Sequence, residues 1–278
     1  MSKKVKTKKN NIFIYLLLII SLIFIYAYYI EPYNISINEY KIENKDIPDN
    51  FDSLKIIHFS DLHYGSNVNL DYLKKVVKLI NKQEPDIVMF TGDLLDNRLN
   101  LSKKEVKKIK SELNKIESNL GNYAVTGNHD YEFIDDFNSI LSDNFTILNN
   151  EEKLIYYKEN NPISVTGFVD AKESDPNYEL LKNENTYFRF VLIHEPDEFD
   201  KIKDYNFNIM LSGHSHNGQV RIPLLGKLYT PIGSKKYYEN YYNINNKELF
   251  VSNGIGTSIF NIRFMSQPSI NLYRIYAQ

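Results

Sequence analysis

The amino-acid sequence predicts an α/β protein in which two β-sheets pack face to face and helices cover their outer surfaces. From residue 54 onward, apolar runs of strand length alternate with segments of 3.6-residue periodicity. After about residue 145 strand patterns dominate, and so many strands would be unusual in a single open sheet. The chain has 278 residues, 42% of them hydrophobic, which is enough to bury one large core. We therefore expect one folded domain.

Charge and composition exclude several classes of protein. Of the 33 basic residues, five are lysines within the first ten positions, and the first acid is Glu31. The remaining 28 bases face 35 acids, a net charge of −7 that argues against a broad nucleic-acid surface. The absence of cysteine excludes disulfides, thiolate metal sites and cysteine nucleophiles. Any metal must be held by oxygen and imidazole ligands, and no protein partner is predicted.

The N-terminus predicts a membrane anchor. Residues 12–30 carry no charge and would form a helix of about 28 Å, which matches the hydrocarbon thickness of a bilayer. A cleaved signal would have a shorter apolar run followed by small residues, whereas Ala27 is followed by two tyrosines. We expect an uncleaved signal anchor, with a cleaved signal or a core helix as alternatives. The basic tail, residues 1–11, would stay in the cytoplasm and the rest of this single-pass protein of the cell membrane would lie outside.

The segment after the anchor leaves two interpretations open. Residues 31–53 fit a short tether, but residues 34–42 alternate apolar and polar side chains as an edge strand does. The folded domain is expected over residues 54–278.

The elements of this domain follow from periodicity in chain order. Residues 54–60 and 86–91 are predicted strands, and residues 70–83 between them are a predicted helix. A polar amphipathic helix over about 102–118 and a strand over 122–126 come next, and another helix follows Asp130. The later predicted strands are 153–157, 162–168, 187–193, 207–212, 218–222, 248–252 and 270–276.

Polar side chains fall where the predicted strands end. The clusters are Asp61 with His63, Gly92 with Asp93, Asn128 with His129 and Asp130, His194, and His214 with His216. Because the carboxyl ends of parallel strands face the ligand crevice of an α/β sheet, these clusters should converge. Five of the six histidines belong to them, whereas His58 lies inside its strand and is predicted to be a core residue.

Carboxylate, amide and imidazole groups without thiolate suit divalent ions such as manganese, iron, zinc or magnesium. Two such ions about 3.5–4 Å apart can lower the pKa of a shared water and clamp the attacking and leaving oxygens at phosphorus. The clusters therefore predict phosphoester hydrolysis.

The motifs DLH, GDLLD, GNHD, the single His194 and GHSH, in that order, resemble the calcineurin-like metallophosphoesterase superfamily over about residues 54–276. The resemblance implies a four-layer αββα sandwich of two mixed sheets flanked by helices. It also implies two divalent ions, with manganese as the first choice and zinc, iron or magnesium as alternatives. One ion would be held by Asp61, His63, Asp93 and His216, and the other by Asp93, Asn128, His194 and His214. His129 would be the general acid that assists the leaving oxygen.

The anchor and the segments that follow it also resemble the membrane-associated bacterial phosphodiesterases of the YkuE and YaeI kind. We therefore expect a phosphodiester, lipid-linked or wall-linked, to be hydrolysed by a dimetal-bound hydroxide at the outer face of the membrane. Two alternatives remain open: a pyrophosphatase of the UDP-2,3-diacylglucosamine type, which would face the cytoplasm, and a metal-dependent module that binds wall or lipid.

Five further residues have two interpretations each. Asp130 or Asp96 would orient His129, or would be a helix cap or a surface acid. Arg98, Arg221 and Arg263 are candidates for holding a phosphate oxygen, although structural salt bridges are the favoured interpretation of all three.

Overall fold

One mixed sheet is formed by the N-terminal half of the chain together with its last strand. A computed structural model of the chain describes residues 2–96, 101–182 and 187–278. The first sheet has the strand order β1-β14-β2-β3-β4-β5, in which only β14 and β2 run antiparallel to each other. Its strands are β1 (Ser36–Asn44), β2 (Lys55–Phe59), β3 (Ile87–Phe90), β4 (Asn122–Ala124), β5 (Thr146–Ile147) and β14 (Ser269–Ala277).

The second mixed sheet is formed by the later half of the chain. Its order is β12-β13-β9-β8-β7-β6, with the two outermost pairs antiparallel and the inner pairs parallel. Its strands are β6 (Glu151–Ile155), β7 (Ile163–Gly167), β8 (Arg189–Leu192), β9 (Ile209–Ser212), β12 (Tyr241–Ile244) and β13 (Lys247–Val251). β10 (Arg221–Ile222) and β11 (Gly226–Lys227) form a separate two-stranded hairpin, which lies between β9 and β12 in the sequence.

The helices of the first half begin at clear caps. At the start of α2 (Leu70–Asn81) the side chain of Asn69 accepts a hydrogen bond from the Tyr72 amide. The helix α3 (Lys103–Leu113) begins with a capping box of Ser102 and Glu105. A 3₁₀ turn, Asn128–Phe133, leads into α4 (Ile134–Leu141). In the second half the helix α5 (Phe199–Ile202) has a single turn.

Three apolar clusters join these elements into four layers. One cluster packs α2, α3 and α4 against the outer face of the first sheet, and the second fills the space between the two sheets. The third covers the outer face of the second sheet with α5 and the 3₁₀ segment Tyr178–Lys182. The predicted αββα arrangement of two mixed sheets flanked by helices is confirmed, with a thin last layer.

Most predicted strands shift by one or two residues at an end, and three elements differ in kind or extent. Residues 218–222 do not form a strand, because Gly218 ends a 3₁₀ turn and only Arg221–Ile222 pair, in the hairpin. The helix predicted over 102–118 ends at Leu113, where Asn114 caps it. Within the 31–53 segment, β1 pairs with β14 along nine residues, so the first sheet begins well before residue 54.

The N-terminal helix continues directly into the folded part. α1 (Ser2–Ile25) is followed by a π-helical segment, Tyr26–Ile30, and a 3₁₀ turn, Glu31–Tyr33. Among the described residues, this is the one helix long and apolar enough to cross a membrane, and its side chains from residue 12 to 30 are exposed except at Ala27. Glu31 is buried and accepts a hydrogen bond from the Ser266 amide at 2.6 Å.

His58 is buried in β2 as predicted for a core residue. Its Nε2 lies 2.8 Å from Thr91 Oγ1, and burial lowers the pKa of His58 to about 3. An imidazole in the unfolded chain has a pKa of about 6.5. Because the unfolded chain binds the proton more readily between these values, the free energy of unfolding must fall as the pH drops below 6.5.

Acidification from pH 7 to pH 5 should therefore lower the free energy of unfolding by about 2 kcal/mol through His58 alone. The variant His58→Gln keeps a hydrogen-bonding side chain but does not titrate. Over the same pH change its free energy of unfolding should therefore fall by about 2 kcal/mol less than that of the wild type. Urea unfolding of both proteins in detergent micelles at the two pH values checks this. Equal losses in the two proteins would contradict it.

Candidate metal centre

The polar clusters at the ends of five strands meet at one edge of the two sheets. Asp61 and His63 follow β2, Asp93 follows β3, and Asn128 and His129 follow β4. His194 follows β8, and His214 and His216 follow β9. Three groups have ligand atoms that all lie within 4.8 Å of one another: Asp61, His63 and His216; His63, Asp93 and His129; and Asp93, His194 and His214.

The carboxylate of Asp93 lies between the groups. Its Oδ2 is 3.4 Å from Nε2 of His63 and 3.2 Å from Nε2 of His194. Asp61 lies on the other side of the site, with Oδ1 3.3 Å from Nε2 of His216. An oxygen with imidazoles on two sides is the arrangement that a bridging carboxylate requires.

The backbone is constrained at the same positions. Five of the seven predicted ligands have a left-handed φ, which is rare for residues other than glycine and costs about 1–3 kcal/mol each. They are Asp61 (51°), His63 (43°), Asp93 (58°), His214 (64°) and His216 (47°). Strain of this kind is retained where it turns side chains toward a common point.

Backbone carbonyls orient two of the imidazoles. Nδ1 of His194 lies 2.6 Å from the Thr91 carbonyl oxygen, and Nε2 of His214 lies 2.8 Å from the Ile232 carbonyl oxygen. A ring nitrogen that donates to a carbonyl leaves the other nitrogen unprotonated and directed into the site. His194 therefore presents Nε2 and His214 presents Nδ1.

Burial and the surrounding charges shift the pKa values of the site. Burial disfavours the charged form of Asp93, but the neighbouring imidazoles hold the pKa of this carboxyl well below its usual value. Burial raises the pKa of Asp61 to about 6 and lowers the pKa of His63 to about 3. Burial disfavours the charged form of His194, but the Asp93 carboxylate raises the pKa of this imidazole well above its usual value. A divalent cation between these carboxylates and imidazoles would take the place of that proton.

The donor set fits two divalent ions. The side-chain oxygen of Asn128 is buried and has no hydrogen-bond partner among the residues that the structure describes, which is costly unless a cation or water satisfies it. All seven predicted ligands supply oxygen or imidazole nitrogen, as hard and borderline ions require. The assignment of individual residues to each ion stays a prediction.

Asp130 holds the backbone of the site together. Its two oxygens accept hydrogen bonds from the amides of Asp93, Leu94 and Gly127 at 2.8, 2.8 and 2.9 Å. The carboxylate thus ties the loop after β3 to the loop after β4 and is not used to orient the His129 ring. Burial raises the pKa of Asp130 to about 7. The second candidate for orienting His129, Asp96, lies with Oδ2 3.9 Å from Nδ1 of His63.

Two of the three arginine candidates have structural roles. Arg221 forms a bidentate pair with Glu239, and Arg263 is fully buried with its guanidinium donating to backbone carbonyls, among them Ser266 at 2.9 Å and Asn253 at 2.8 Å. The predicted structural salt bridge is therefore present at Arg221, whereas Arg263 donates to carbonyls and forms no salt bridge with the described residues. Arg98 lies outside the described residues.

Comparisons with known proteins decide the family. A family model of the calcineurin-like phosphoesterases matches residues 54–218, more than half of the chain. The chain belongs to this family. The predicted resemblance is confirmed, and the protein is a metallophosphoesterase.

Curated relatives align along nearly the whole phosphoesterase. The uncharacterized metallophosphoesterase YkuE of Bacillus subtilis is 32% identical over 255 residues, with 90% of this chain and 88% of YkuE covered. The phosphodiesterase YaeI of Escherichia coli is 27% identical over 236 residues, covering 82% and 84%. The UDP-2,3-diacylglucosamine pyrophosphatase LpxG of Chlamydia trachomatis is 26% identical, covering 91% and 93%.

Five of the seven predicted ligands of this phosphoesterase line a cleft of about 810 Å³. The cleft has a polar side formed by predicted ligands and by His129, and an apolar side. The apolar side consists of Leu228, Tyr229, Pro231, Ile232, Ile259 and Phe260.

Sequence reasoning missed two features of this cleft. Lys172 lines it beside Asn128 and His129, and it stands five residues after β7, at the carboxyl end of a strand where the other site residues were found. This position after a strand end could have identified Lys172 from the sequence. The apolar side gave no such signal, because its residues come from irregular segments whose place is set by tertiary contacts.

Replacing Asp93 by alanine should remove both ions, because this carboxylate faces both donor groups. Purified wild type and Asp93→Ala, each loaded with manganese and then desalted, can be compared by elemental analysis. We expect two ions per wild-type chain and fewer than one in the variant.

Asp200→Ala is the matched control, because Asp200 pairs with Lys236 at the surface, away from the metal centre. This control should keep its ions. Full metal content in Asp93→Ala would contradict the bridging assignment.

Proposed function

We propose that this metallophosphoesterase is a metal-dependent phosphodiesterase, anchored by residues 12–30, that works at the outer face of the cytoplasmic membrane. The observation that carries the proposal is the convergence of the seven predicted metal ligands at one sheet edge, where five of them line one cleft together with His129. The relationship to YaeI, which is named a phosphodiesterase, supports the choice of a diester.

The predicted ligands would hold two ions. Asp61, His63, Asp93 and His216 would hold one, and Asp93, Asn128, His194 and His214 the other. Bound divalent ions lower the pKa of water and offset the negative charge of a phosphate group. Manganese is our first choice, and zinc, iron and magnesium fit the same donors.

His129 would act on the leaving group. Its amide donates to Oδ1 of Asp93 at 2.9 Å, which fixes the residue beside the predicted bridging carboxylate. Its half-buried ring lines the cleft and packs edge-on against the His63 ring, with 4.7 Å between centroids. The imidazole would donate a proton to the departing oxygen, and the Lys172 ammonium, on the same side, would attract the phosphate.

The anchor supports a location outside the cytoplasm. The exposed apolar helix matches a bilayer in length, and five lysines precede it, which favours a cytoplasmic N-terminus. Phosphodiesters carried by lipids or by cell-wall polymers are the substrates that this geometry favours.

One specific observation favours a second candidate. The apolar side of the cleft would suit acyl chains, and LpxG, a relative along most of the chain, is named a UDP-2,3-diacylglucosamine pyrophosphatase. That reaction would place the site in the cytoplasm, which the lysine distribution opposes. A module that only binds wall or lipid is the third candidate, and the presence of every predicted ligand speaks against it.

Restoring metal should restore diester cleavage. The full chain in detergent, stripped of metal and refilled separately with manganese, zinc and magnesium, is assayed on a soluble nitrophenyl diester and on the matching monoester. We expect the diester to be cleaved faster with at least one ion. A fragment starting near residue 40 is unsuitable because it would cut β1. Faster monoester cleavage with every ion would overturn the assignment.

Replacing His129 by alanine should lower kcat by about 10²–10⁴-fold while leaving metal content unchanged, because the proton donor is lost but no predicted ligand is. Steady-state kinetics and elemental analysis of His129→Ala measure both quantities. His58→Gln is the matched control, a histidine replaced outside the cleft. If the protein were only a binding module, the replacement would leave ligand binding unchanged and the wild type would show no turnover.

A further inference from the structure

Exposed apolar side chains surround the mouth of the cleft. Ile232 is 80% exposed, Leu225 is 77% exposed and Leu224 is fully exposed, although each is a large aliphatic residue. Contiguous apolar patches of this kind mark interaction sites on proteins. We call the following residues the apolar rim: Leu224, Leu225, Leu228, Tyr229, Ile232, Ile259, Phe260 and Met265.

The two segments that carry the apolar rim form one unit. The amide of Phe264 donates to the Gln219 carbonyl at 3.1 Å, and the amide of Arg221 donates to the Phe264 carbonyl at 2.9 Å. The side-chain amide of Gln219 also donates to the carbonyls of Ser258 and Phe260. The hairpin β10–β11 and the loop that follows β13 are therefore held together at their base.

This unit is fastened to the end of the N-terminal helix. The Arg263 amide donates to the Ala27 carbonyl at 2.9 Å, and the rings of Tyr26 and Phe264 meet edge-on with centroids 6.5 Å apart. Arg263 is itself fully buried, so the loop cannot swing away without exposing it. The apolar rim thus has a fixed position relative to the helix.

The position of these contacts along the helix sets their depth. Tyr26 and Ala27 precede Ile30, the last residue of the uncharged stretch 12–30, by four and three residues. At about 1.5 Å per residue they lie about 5 Å inside that stretch. If the stretch spans the membrane, a loop bonded at this level lies at the boundary between headgroups and hydrocarbon, where interfacial segments bury their apolar faces.

The charge of the rim segments fits a lipid surface. Residues 218–235 and 249–273 contain no aspartate or glutamate, although acids outnumber bases after the anchor. Two lysines, Lys227 and Lys235, lie next to tyrosine rings of the same region. The acids that contact these segments are already engaged, because Glu239 pairs with Arg221 and Asp197 accepts the Lys235 amide. Segments with exposed aliphatic groups, tyrosines and lysines, and without acids of their own, match an interface rich in anionic lipid.

We propose that the apolar rim is embedded in the lipid leaflet that receives the end of the N-terminal helix, so that the catalytic cleft opens at the lipid surface. This inference rests on the proposed membrane anchoring. It also specifies the substrate class as an amphiphilic phosphodiester that enters from the leaflet, with its apolar part against Leu228, Tyr229 and Ile232 and its phosphate toward the metal centre.

The absence of cysteine allows site-specific labelling of the full chain. Single-cysteine variants Leu225→Cys in the apolar rim, Leu18→Cys in α1 and Asn160→Cys are labelled with an environment-sensitive fluorophore. They are reconstituted into phosphatidylcholine–phosphatidylglycerol vesicles with or without doxyl-labelled lipid. Asn160 is the control, because its loop contacts Asn50, which follows β1 in the chain. β1 itself spans about 26 Å and separates Asn50 in sequence from the end of the N-terminal helix.

We expect doxyl lipid to quench the labels at positions 225 and 18 and to leave the label at position 160 unchanged. Quenching at position 18 without quenching at 225 would overturn the embedded rim while supporting the anchor. Absence of quenching at both positions would overturn the anchor and the rim together.

Kinetics test the substrate class independently. The double variant Leu224→Asp with Leu225→Asp changes rim residues that do not line the cleft. It should lower hydrolysis of vesicle-borne hexadecyl nitrophenyl phosphate by about tenfold or more, because charge opposes insertion into the leaflet. Hydrolysis of soluble bis-nitrophenyl phosphate in detergent should stay unchanged. Equal rates of wild type and variant on the lipid substrate, or an equal loss on both substrates, would overturn the proposal.

Discussion

The rest of the site depends on the contacts that the buried carboxylate of Asp93 makes with the groups around it. Its two oxygens contact an imidazole from the first sheet, an imidazole from the second sheet and the amide of His129. An ionised carboxylate can remain inside a protein only if such groups, or metal ions, offset its charge. The loops that supply them must therefore converge. Asp130 fixes that convergence by accepting the amides of Asp93, Leu94 and Gly127.

The same requirement brings the backbones of neighbouring loops close together at the sheet edge. Gly92 has a φ of 88°, and a Cβ at this position would overlap the backbone of Gly127, so the loops after β3 and β4 can touch only because both residues are glycine. Gly213 plays the corresponding part between the sheets, where a side chain would overlap Ser60 and Asp61. The His214 amide can then donate to both oxygens of Asp61. The glycines in the motifs thus set the distance between ligands.

The sequence predicts the layers and the ligand set well because both depend on local signals. Runs such as IVMF in β3 bury every side chain, and a polar residue directly after such a run is conspicuous. Other features depend on contacts between distant segments, which periodicity does not contain. The pairing of β1 with β14 joins residues more than 230 positions apart, and the role of Arg263 follows from the loop carbonyls that enclose it. The strand predicted over 218–222 fails for the same reason, because those residues pair within a hairpin and with Phe264 instead of joining a sheet.

The buried Glu31 has a consequence for how such an enzyme can be released from a cell surface. Glu31 accepts the Ser266 amide, and the hydroxyl of the same serine donates to the carbonyl of His216, a predicted ligand. The juncture between helix and domain is therefore part of the support of the metal centre. If the helix anchors the protein as proposed, a protease that cleaved there to shed the domain would also loosen the ligand loop. An active, freely diffusing form is therefore disfavoured.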